Sequence, residues 1–523
     1  GRRVSRVKTT RSDRLLGWIS CAVMFAIALG LRLWKLGRPD AFGFDETYYA
    51  KNAWALLQHG YARAYVDDAN QMILDGKLQG IFKDTPEMIV HPEVGKWIIA
   101  IGEHFFGMDP FGWRVSAAVV GALMVVVMMR LAHRLTGSAV LGIAAGILLS
   151  FDGLHFVLSR LALLDLFQSF FILCAVAALV ADRDWLRRRL DTLTRETEVS
   201  DWGPLVLWRP WRLLAGVWWG LALGTKWSTL YVMAAFGILL WIWDSGARRR
   251  IGIKLPVLRS ILTDALPALG YVVLLPALIY VASWAGWIWN AHAYEVALSH
   301  TQYGPYWGDY TKHKAEGFSR ITQGLRSLWH YHHDVYSFHT KFLNDATHTY
   351  QSNPWGWPIL NRSVGVDAQL NIQPGDQGCY AATGSTCLRQ VLLLGNPVVW
   401  WFGTIAVLWS VVAWIAKRDW RYGVVVVGFA ATWVPWFQYA DRPIFSYYAI
   451  TMLPFMVLGA TLLLGEILGP DGATRRRRAI GASVAGGVLV LTLIAFAFFW
   501  PIWTDQLISN ADWARRMFFK SWI

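Results

Sequence analysis

Charged residues are scarce in this sequence. Asp, Glu, Lys and Arg make up 16% of its 523 residues, whereas hydrophobic residues make up 55% and the mean hydropathy is +0.34. This balance is unusual for a water-soluble domain and ordinary for an integral membrane protein. The apolar residues form runs of about twenty, the length that a helix needs to cross a bilayer with its backbone hydrogen bonds satisfied. We therefore predict an all-α polytopic membrane protein.

Internal repeats, low-complexity linkers and a separate soluble domain are also lacking, so a single membrane domain is expected. Two long loops, 37–111 and 284–395, interrupt the apolar runs. The chain then divides into an N-terminal module (1–283) that contains spans 1–7 and the first loop, the second loop (284–395), and a C-terminal four-span region (396–523) with a short tail. Eleven spans are predicted, at about 15–36, 112–133, 139–158, 162–181, 212–224, 227–243, 261–283, 396–416, 421–437, 447–466 and 479–501.

Acidic residues are fewer than basic ones, 35 against 49, which gives a formal charge of +14. The excess lies mostly in short loops between spans, as the positive-inside rule describes, so no nucleic-acid partner is predicted. This pattern places the N terminus in the cytoplasm, and the two long loops and the C-terminal tail on the exported side of the plasma membrane. No small-residue cleavage site follows the first span, so we expect a retained signal anchor.

Cysteine is rare, with four residues in the chain. Cys21 and Cys174 fall inside predicted spans, whereas Cys379 and Cys387 share the second loop. Because that loop is expected on the oxidising, exported side, we predict a disulfide between Cys379 and Cys387. Free thiols are the alternative.

Two adjacent carboxylates follow the first span, Asp45 and Glu46, ahead of a helical pattern that begins at Ala50. A carboxylate at the membrane surface can deprotonate an acceptor hydroxyl. The alternative is that Asp45 only caps the following helix by accepting backbone N–H bonds.

Several cations lie where an anionic ligand would explain them. Lys96 precedes a short apolar stretch suited to the membrane interface, and Arg114 opens the second span, where the helix dipole disfavours a cation. Lys226 and Arg442 fall in short loops on the exported side, which the positive-inside rule should leave poor in cations. Each is a candidate contact for a lipid phosphate. Snorkelling is the alternative for Lys96, Lys226 and Arg442.

Two further groups are open to a functional or a structural interpretation. Arg160 and Asp165 bracket the entrance to the fourth span, and a structural ion pair is the favoured interpretation. Eight of the thirteen histidines lie between His292 and His348. No Cys or carboxylate completes a familiar zinc spacing there, so we predict no metal and regard the region as an acceptor-binding surface or as packing.

In their order and spacing, these motifs resemble the protein O-mannosyltransferases, family 39 of the glycosyltransferases, over nearly the whole chain. The tryptophan- and proline-rich segment 349–358 and Tyr447, Tyr448 and Pro454 add to the resemblance in the C-terminal half. The chain has no room for the β-trefoil domain that eukaryotic members insert in the second loop. It therefore resembles a bacterial, actinobacterial-type member.

The resemblance implies the GT-C membrane fold and transfer of mannose from polyprenyl phosphate mannose to Ser or Thr hydroxyls of exported proteins. It implies no metal or other cofactor, and proximity to the secretion translocon is a reasonable hypothesis. The implied roles are general base for Asp45, positioning of acceptor or base for Glu46, and contact with the donor phosphate for Arg114, Lys96, Lys226, Arg442 and Tyr448.

A single base without an assigned carboxylate nucleophile favours inverting direct displacement. Two other functions remain open. Another GT-C transferase would move arabinose, aminoarabinose or mannose from a polyprenyl phosphate to a lipid or a glycan. A transporter of a polyprenyl-linked sugar would show charged residues deep in several spans and repeated halves.

Overall fold

The structure is a computed structural model that describes residues 11–196, 200–301, 304–308, 312, 314–470 and 472–523. His313 of the histidine-rich region and most of the basic N-terminal segment lie outside the described residues. The helices are α1 (Arg11–Leu33), α2 (Glu46–His59), α3 (Ala69–Leu74), α4 (Val94–Phe106), α5 (Pro110–Thr136), α6 (Ala139–Ser150), α7 (Gly153–Leu158), α8 (Leu164–Glu196), α9 (Pro210–Leu223), α10 (Thr229–Arg250), α11 (Pro256–Ser260), α12 (Leu266–Leu269), α13 (Leu275–Ser283), α14 (Ala285–Trp289), α15 (Ala291–Ser299), α16 (Gly304–Trp307), α17 (Phe318–Thr340), α18 (Pro397–Lys417), α19 (Trp420–Trp433), α20 (Leu453–Leu468), α21 (Arg475–Trp503) and α22 (Asn510–Ala514).

Seven of the described helices are long and apolar enough to cross a membrane, so the chain is a multi-pass membrane protein. They are α1, α5, α8, α10, α18, α21 and the continuous helix that α11, α12 and α13 form through two π-helical turns. The other four predicted spans coincide with the shorter helices α6, α9, α19 and α20. The total of eleven spans stays a prediction.

Burial separates a central helix from peripheral ones. The most apolar stretch of α8 is 89% buried, against 22% in α1, 22% in α21 and 11% in the continuous α11–α13 helix. Because an apolar helix surface is stable without protein contacts only in lipid, the peripheral helices face the bilayer and α8 forms the core. α8 also carries Asp165 in its first turn, which places that carboxylate at one end of the bundle.

The two long loops and the C-terminal tail lie together at that end, which we call the loop face. They contain five short strands that the sequence did not predict: β1 (Arg63–Tyr65), β2 (Phe82–Pro86), β3 (Val364–Ile372), β4 (Cys387–Leu393) and β5 (Ile508–Ser509). β1 pairs with β2, and β3, β4 and β5 form an antiparallel sheet in that order. The tail is therefore tied to the second loop. Cys379 and Cys387 form the predicted disulfide beside this sheet.

The opposite end, the basic face, contains a buried network of charges. Arg209 contacts both oxygens of Asp182 at 2.9 and 2.6 Å, and Arg212 contacts Asp244 at 2.6 Å. Arg248 binds Asp264. These side chains join α8, α9, α10 and the α11–α13 helix. Since each buried charge has an opposite charge within hydrogen-bond distance, the network can stabilise the packing of four helices.

Candidate active site

The carboxylate of Glu46 fixes the backbone of the segment from Gly43 to Glu46 through hydrogen bonds. One oxygen of Glu46 accepts from the backbone N–H of Gly43 at 2.8 Å, and the other accepts from that of Ala162 at 2.9 Å. Arg114 contacts both oxygens, at 2.9 and 2.7 Å, and neither side chain has any exposed surface. Phe44 adopts a positive φ of 51°, a strained conformation for a residue with a side chain. Glu46 therefore fixes the backbone beside Asp45.

This arrangement corrects the role predicted for Arg114. Its remaining guanidinium contacts are the backbone carbonyls of Leu36, Pro39 and Ala41, at 2.7 to 3.3 Å. A fully buried guanidinium with these partners cannot reach a donor phosphate. Of the two roles predicted for Glu46, its contacts fit positioning of the base, and its fully buried carboxylate does not reach an acceptor.

Asp45 is in a different environment from its neighbour. Its backbone carbonyl accepts the N–H groups of Tyr48 and Tyr49 at the start of α2, but its side chain makes no capping bond. The capping interpretation therefore does not account for the carboxylate. The described side-chain contact is with Tyr447, whose hydroxyl donates to it at 3.3 Å. Burial raises the pKa of Asp45 to about 6, Lys226 and the Tyr447 hydrogen bond lower it, and Asp165 raises it.

Asp165 pairs with Lys226 and not with Arg160, which corrects the predicted ion pair. The Lys226 ammonium lies 2.9 and 2.8 Å from the two oxygens of Asp165. Arg160 instead donates to backbone carbonyls near the end of α1, among them those of Arg32 at 2.8 Å and Trp34 at 2.7 Å. Arg160 therefore connects the loop before α8 to the end of α1, and Asp165 forms its ion pair with Lys226 close to Asp45.

Lys226 and Arg442, two of the predicted phosphate contacts, lie near each other, because both act electrostatically on His91 and His339. The Lys226 ammonium stands 4.9 Å from the ring centre of Tyr448, whose ring lies 4.8 Å from that of Tyr447. The Arg442 guanidinium stands 5.5 Å from the ring of Tyr439. Among the described residues Arg442 has no carboxylate partner, and its buried Nε has no hydrogen-bond acceptor.

Two histidines that the sequence analysis did not select, His91 and His339, lie beside Lys226 and Arg442, and we call these four side chains the charged wall. The rings of His91 and His339 stack at 5.6 Å, and His91 lies 6.2 Å from Tyr49 beside Asp45. Burial lowers the pKa of both, to about 4 for His339, and Arg442 and Lys226 lower it further. His339 donates Nε2–H to the carbonyl of Val90 at 3.4 Å, which leaves its buried Nδ1 as an unpaired acceptor. No signal in the sequence distinguished His339 from the other histidines of its loop.

Lys96 lies behind the charged wall and is not one of the side chains that form it. Its side chain is 1% exposed, its ammonium donates to the carbonyl of His91 at 3.2 Å, and Glu87 and Glu93 are the carboxylates that act on it electrostatically. Lys96 therefore supports the segment that carries His91. The structure contradicts both its predicted phosphate contact and the snorkelling alternative.

An apolar groove opens beside Lys226, between α8, α10 and α19. It is lined by Gln168, Tyr231, Val232, Trp436 and Tyr439, among others. Gln168 donates to the hydroxyls of Ser228 and Thr229 directly after Lys226, at 2.8 and 3.0 Å. The groove is therefore adjacent to the segment that carries Lys226.

The fold and this site define a membrane-embedded GT-C glycosyltransferase. Residues 22–289 match the family described as dolichyl-phosphate-mannose-protein mannosyltransferase, and residues 324–522 match the C-terminal four-span region of protein O-mannosyltransferase. The chain belongs to the protein O-mannosyltransferase family.

Individual relatives cover nearly the whole chain. It is 36% identical to a polyprenol-phosphate-mannose–protein mannosyltransferase of Mycobacterium tuberculosis, over 98% of this chain and 92% of the relative. It is 32% identical to the protein of the same name from Corynebacterium glutamicum, over 99% and 95%. The S. cerevisiae Pmt1–Pmt2 complex bound to the sugar donor shares the fold, with a TM-score of 0.70 and 14% identity over 99% of this chain and 93% of that one.

Proposed function

We propose that this chain transfers mannose from polyprenyl phosphate mannose to Ser or Thr hydroxyls of exported proteins, with Asp45 as the general base. The observation that carries the proposal is the environment of Asp45: a partly buried carboxylate whose one described side-chain hydrogen bond is the 3.3 Å contact with Tyr447, with Lys226 close enough to lower its pKa. A charged group that is disfavoured by its surroundings and lacks a strong partner costs stability, and such groups are typical of functional sites.

The reaction needs a base on one side of the anomeric carbon and cations on the other. The acceptor oxygen forms a bond to C1 of mannose while the bond from C1 to the phosphate oxygen breaks, and the departing polyprenyl phosphate keeps that electron pair. The proton of the acceptor hydroxyl passes to Asp45. A base with a pKa of about 6 is mostly ionised at neutral pH and still accepts a proton as the hydroxyl becomes acidic in the transition state.

The donor phosphate is proposed to lie between Lys226 and Arg442. Two of the ammonium hydrogens of Lys226 point to Asp165, which leaves a third for a phosphate oxygen, and the Nε of Arg442 is an unused donor. Tyr448 lies directly beside Lys226. The polyprenyl chain would occupy the apolar groove at Gln168 and Tyr439. Negative charge that develops on the leaving phosphate is then stabilised by cations already in place.

Asp165 does not serve as a nucleophile in this proposal because Lys226 holds both of its oxygens. A single displacement inverts the anomeric centre, so a β-linked donor gives an α-mannosyl product. We further propose that the loop face is on the exported side of the plasma membrane, that the acceptor arrives unfolded near the secretion translocon, and that the reaction needs no divalent metal.

The test is transfer of labelled mannose from synthetic polyprenyl phosphate mannose by the purified protein, with EDTA present. The acceptor is a Ser/Thr-rich peptide, and its control is the same peptide with Ala at every Ser and Thr. We expect transfer to the first peptide alone, and loss of transfer in Asp45→Asn but not in Asp68→Asn, which changes an exposed carboxylate of the same loop. Transfer of mannose to an added lipid or glycan, with none to the peptide, would replace this function by another GT-C activity.

A further inference from the structure

A second group of potential ligands lies on α17, apart from Asp45. His330, His333 and Asp334 lie at positions i, i+3 and i+4, which share one face of a helix. One ligand atom from each lies within 4.8 Å of the other two. From Asp334 their helix continues for five more residues to His339 at the charged wall, about 7.5 Å away along the helix axis. This group, the His330 cluster, is therefore connected to the active site but is not part of it.

Distances within the His330 cluster match those of a metal site better than those of a hydrogen-bonded pair. Asp334 Oδ1 lies 3.5 Å from His330 Nε2 and 3.6 Å from His333 Nδ1. Good N–H···O bonds are about 2.7–3.2 Å long. In a tetrahedral site with metal–ligand bonds of about 2.1 Å, neighbouring ligand atoms are about 3.4 Å apart. Two edges of such a tetrahedron are thus already present.

The third edge, between the two imidazoles, can close with little rearrangement. Their rings are stacked with centres 5.8 Å apart. The side chain of His333 is 71% exposed, so its rotation meets little resistance, whereas that of Asp334 is 4% exposed and fixed. The cluster therefore combines one rigid ligand with one that can adjust to an ion.

The carboxylate also has the outer contact that metal ligands commonly have. Buried Trp307 donates its indole N–H to Asp334 Oδ2 at 2.9 Å, which leaves Oδ1 directed at the imidazoles. The ring of Tyr306 stacks on His330. Hydrogen bonds and packing of this kind orient a ligand and strengthen its binding. Both contacts come from the segment that contains α16, so an ion here would fix that segment to α17.

We propose that His330, His333 and Asp334 form a binding site for a divalent transition-metal ion, with Zn²⁺ as the preferred occupant. Two nitrogens and one carboxylate oxygen suit Zn²⁺ and leave a fourth position for water. Because the site lies apart from Asp45, the ion stabilises the loop face and takes no part in mannose transfer.

The test uses the full-length protein in detergent, purified without a histidine tag and stripped of metal with EDTA. Titration with Co²⁺, followed by the visible absorption of the tetrahedral ion, reports binding directly, and Zn²⁺ added afterwards measures competition. We expect one Co²⁺ per chain, displaced by Zn²⁺, and a higher Tm of the wild type with Zn²⁺.

His333→Ala removes the exposed ligand and is expected to leave the fold intact, and His300→Ala is the matched control at an exposed histidine directly after α15. We expect affinity at least about tenfold lower in His333→Ala and Asp334→Asn and unchanged in His300→Ala. Equal binding by the wild type and His333→Ala, or no binding by either at micromolar metal, would overturn the proposal. Mannose transfer by His333→Ala in EDTA should equal that of the wild type, which separates this site from the proposed function.

Discussion

The loop face and the basic face both pair buried charges, as Glu46 with Arg114 and Asp182 with Arg209 show. The loop face also holds two partly buried charges, Asp45 and Arg442, without a strong partner among the described residues. At the basic face Asp182 receives Arg209 and Arg212 at 2.6 to 3.1 Å, so its charge is fully matched. At the loop face Asp45 has one described side-chain contact, at 3.3 Å, and Arg442 has no described carboxylate partner. Charges that satisfy one another hold helices together, whereas charges left unmatched are available to a substrate.

The largest expected effect is on activity at Asp45. Asp45→Asn removes the base and keeps the shape, so mannose transfer should fall about 10²–10⁴-fold. Stability should not fall, because burial disfavours the charge that the substitution removes. Transfer kinetics and thermal unfolding in detergent measure the two effects. Glu46→Gln is the comparison variant at the adjacent residue. It weakens the contact with Arg114 and should lower Tm.

The basic face should show the reverse pattern. Asp182→Ala leaves Arg209 and Arg212 buried with too little negative charge and should cost about 3–5 kcal/mol of stability. Any loss of transfer should follow the loss of folded protein. Asp191→Ala is the control, because its pair with Arg250 on the same face is about half exposed and contributes under about 1 kcal/mol. Equal Tm values for the two variants would contradict the comparison.

Arg442 should affect donor binding with little effect on the fold. Arg442→Ala removes a charged donor that we assign to the phosphate, so kcat/KM for the polyprenyl donor should fall about 10–150-fold. Arg442→Lys should recover part of the loss. Lys77→Ala, which removes an exposed cation of the same face, should change nothing. An unchanged KM and kcat in Arg442→Ala would remove this residue from the phosphate site.

The smallest effect concerns pH. Transfer by the wild type should rise with pH through about 6 as Asp45 loses its proton. The Tyr447 hydroxyl lowers the pKa of Asp45, so in Tyr447→Phe the pKa is higher and the acid limb of kcat/KM should move to higher pH. Tyr380→Phe, at a hydroxyl-bearing ring that is 95% exposed, is the control. A shift to lower pH would contradict the assignment of Asp45 as the base.

Asp45 shows how much of the site could be predicted from the sequence. Its place after the first span, beside Glu46 and ahead of a helix, was enough to select it. The sequence could not show that one of these adjacent carboxylates pairs with a cation and the other does not. Glu46 contacts Arg114, which is 68 residues away in sequence, and Asp45 contacts the neutral hydroxyl of Tyr447, which is 402 residues away. His339 was missed for the same reason: only packing distinguishes it from the other histidines of its loop.

The sequence by itself determined the membrane class, the long helices, the loops between them and the family, since these depend on composition, apolar length and the order of motifs. Only the tertiary structure decided which charges are matched. It paired Lys226 with Asp165 instead of Arg160 with Asp165, buried Arg114 and Lys96, and left Asp45 with one weak side-chain hydrogen bond among the described residues. The physical reason is that a charge in a buried site is stabilised or left reactive by groups within a few ångströms, and long-range folding chooses those groups.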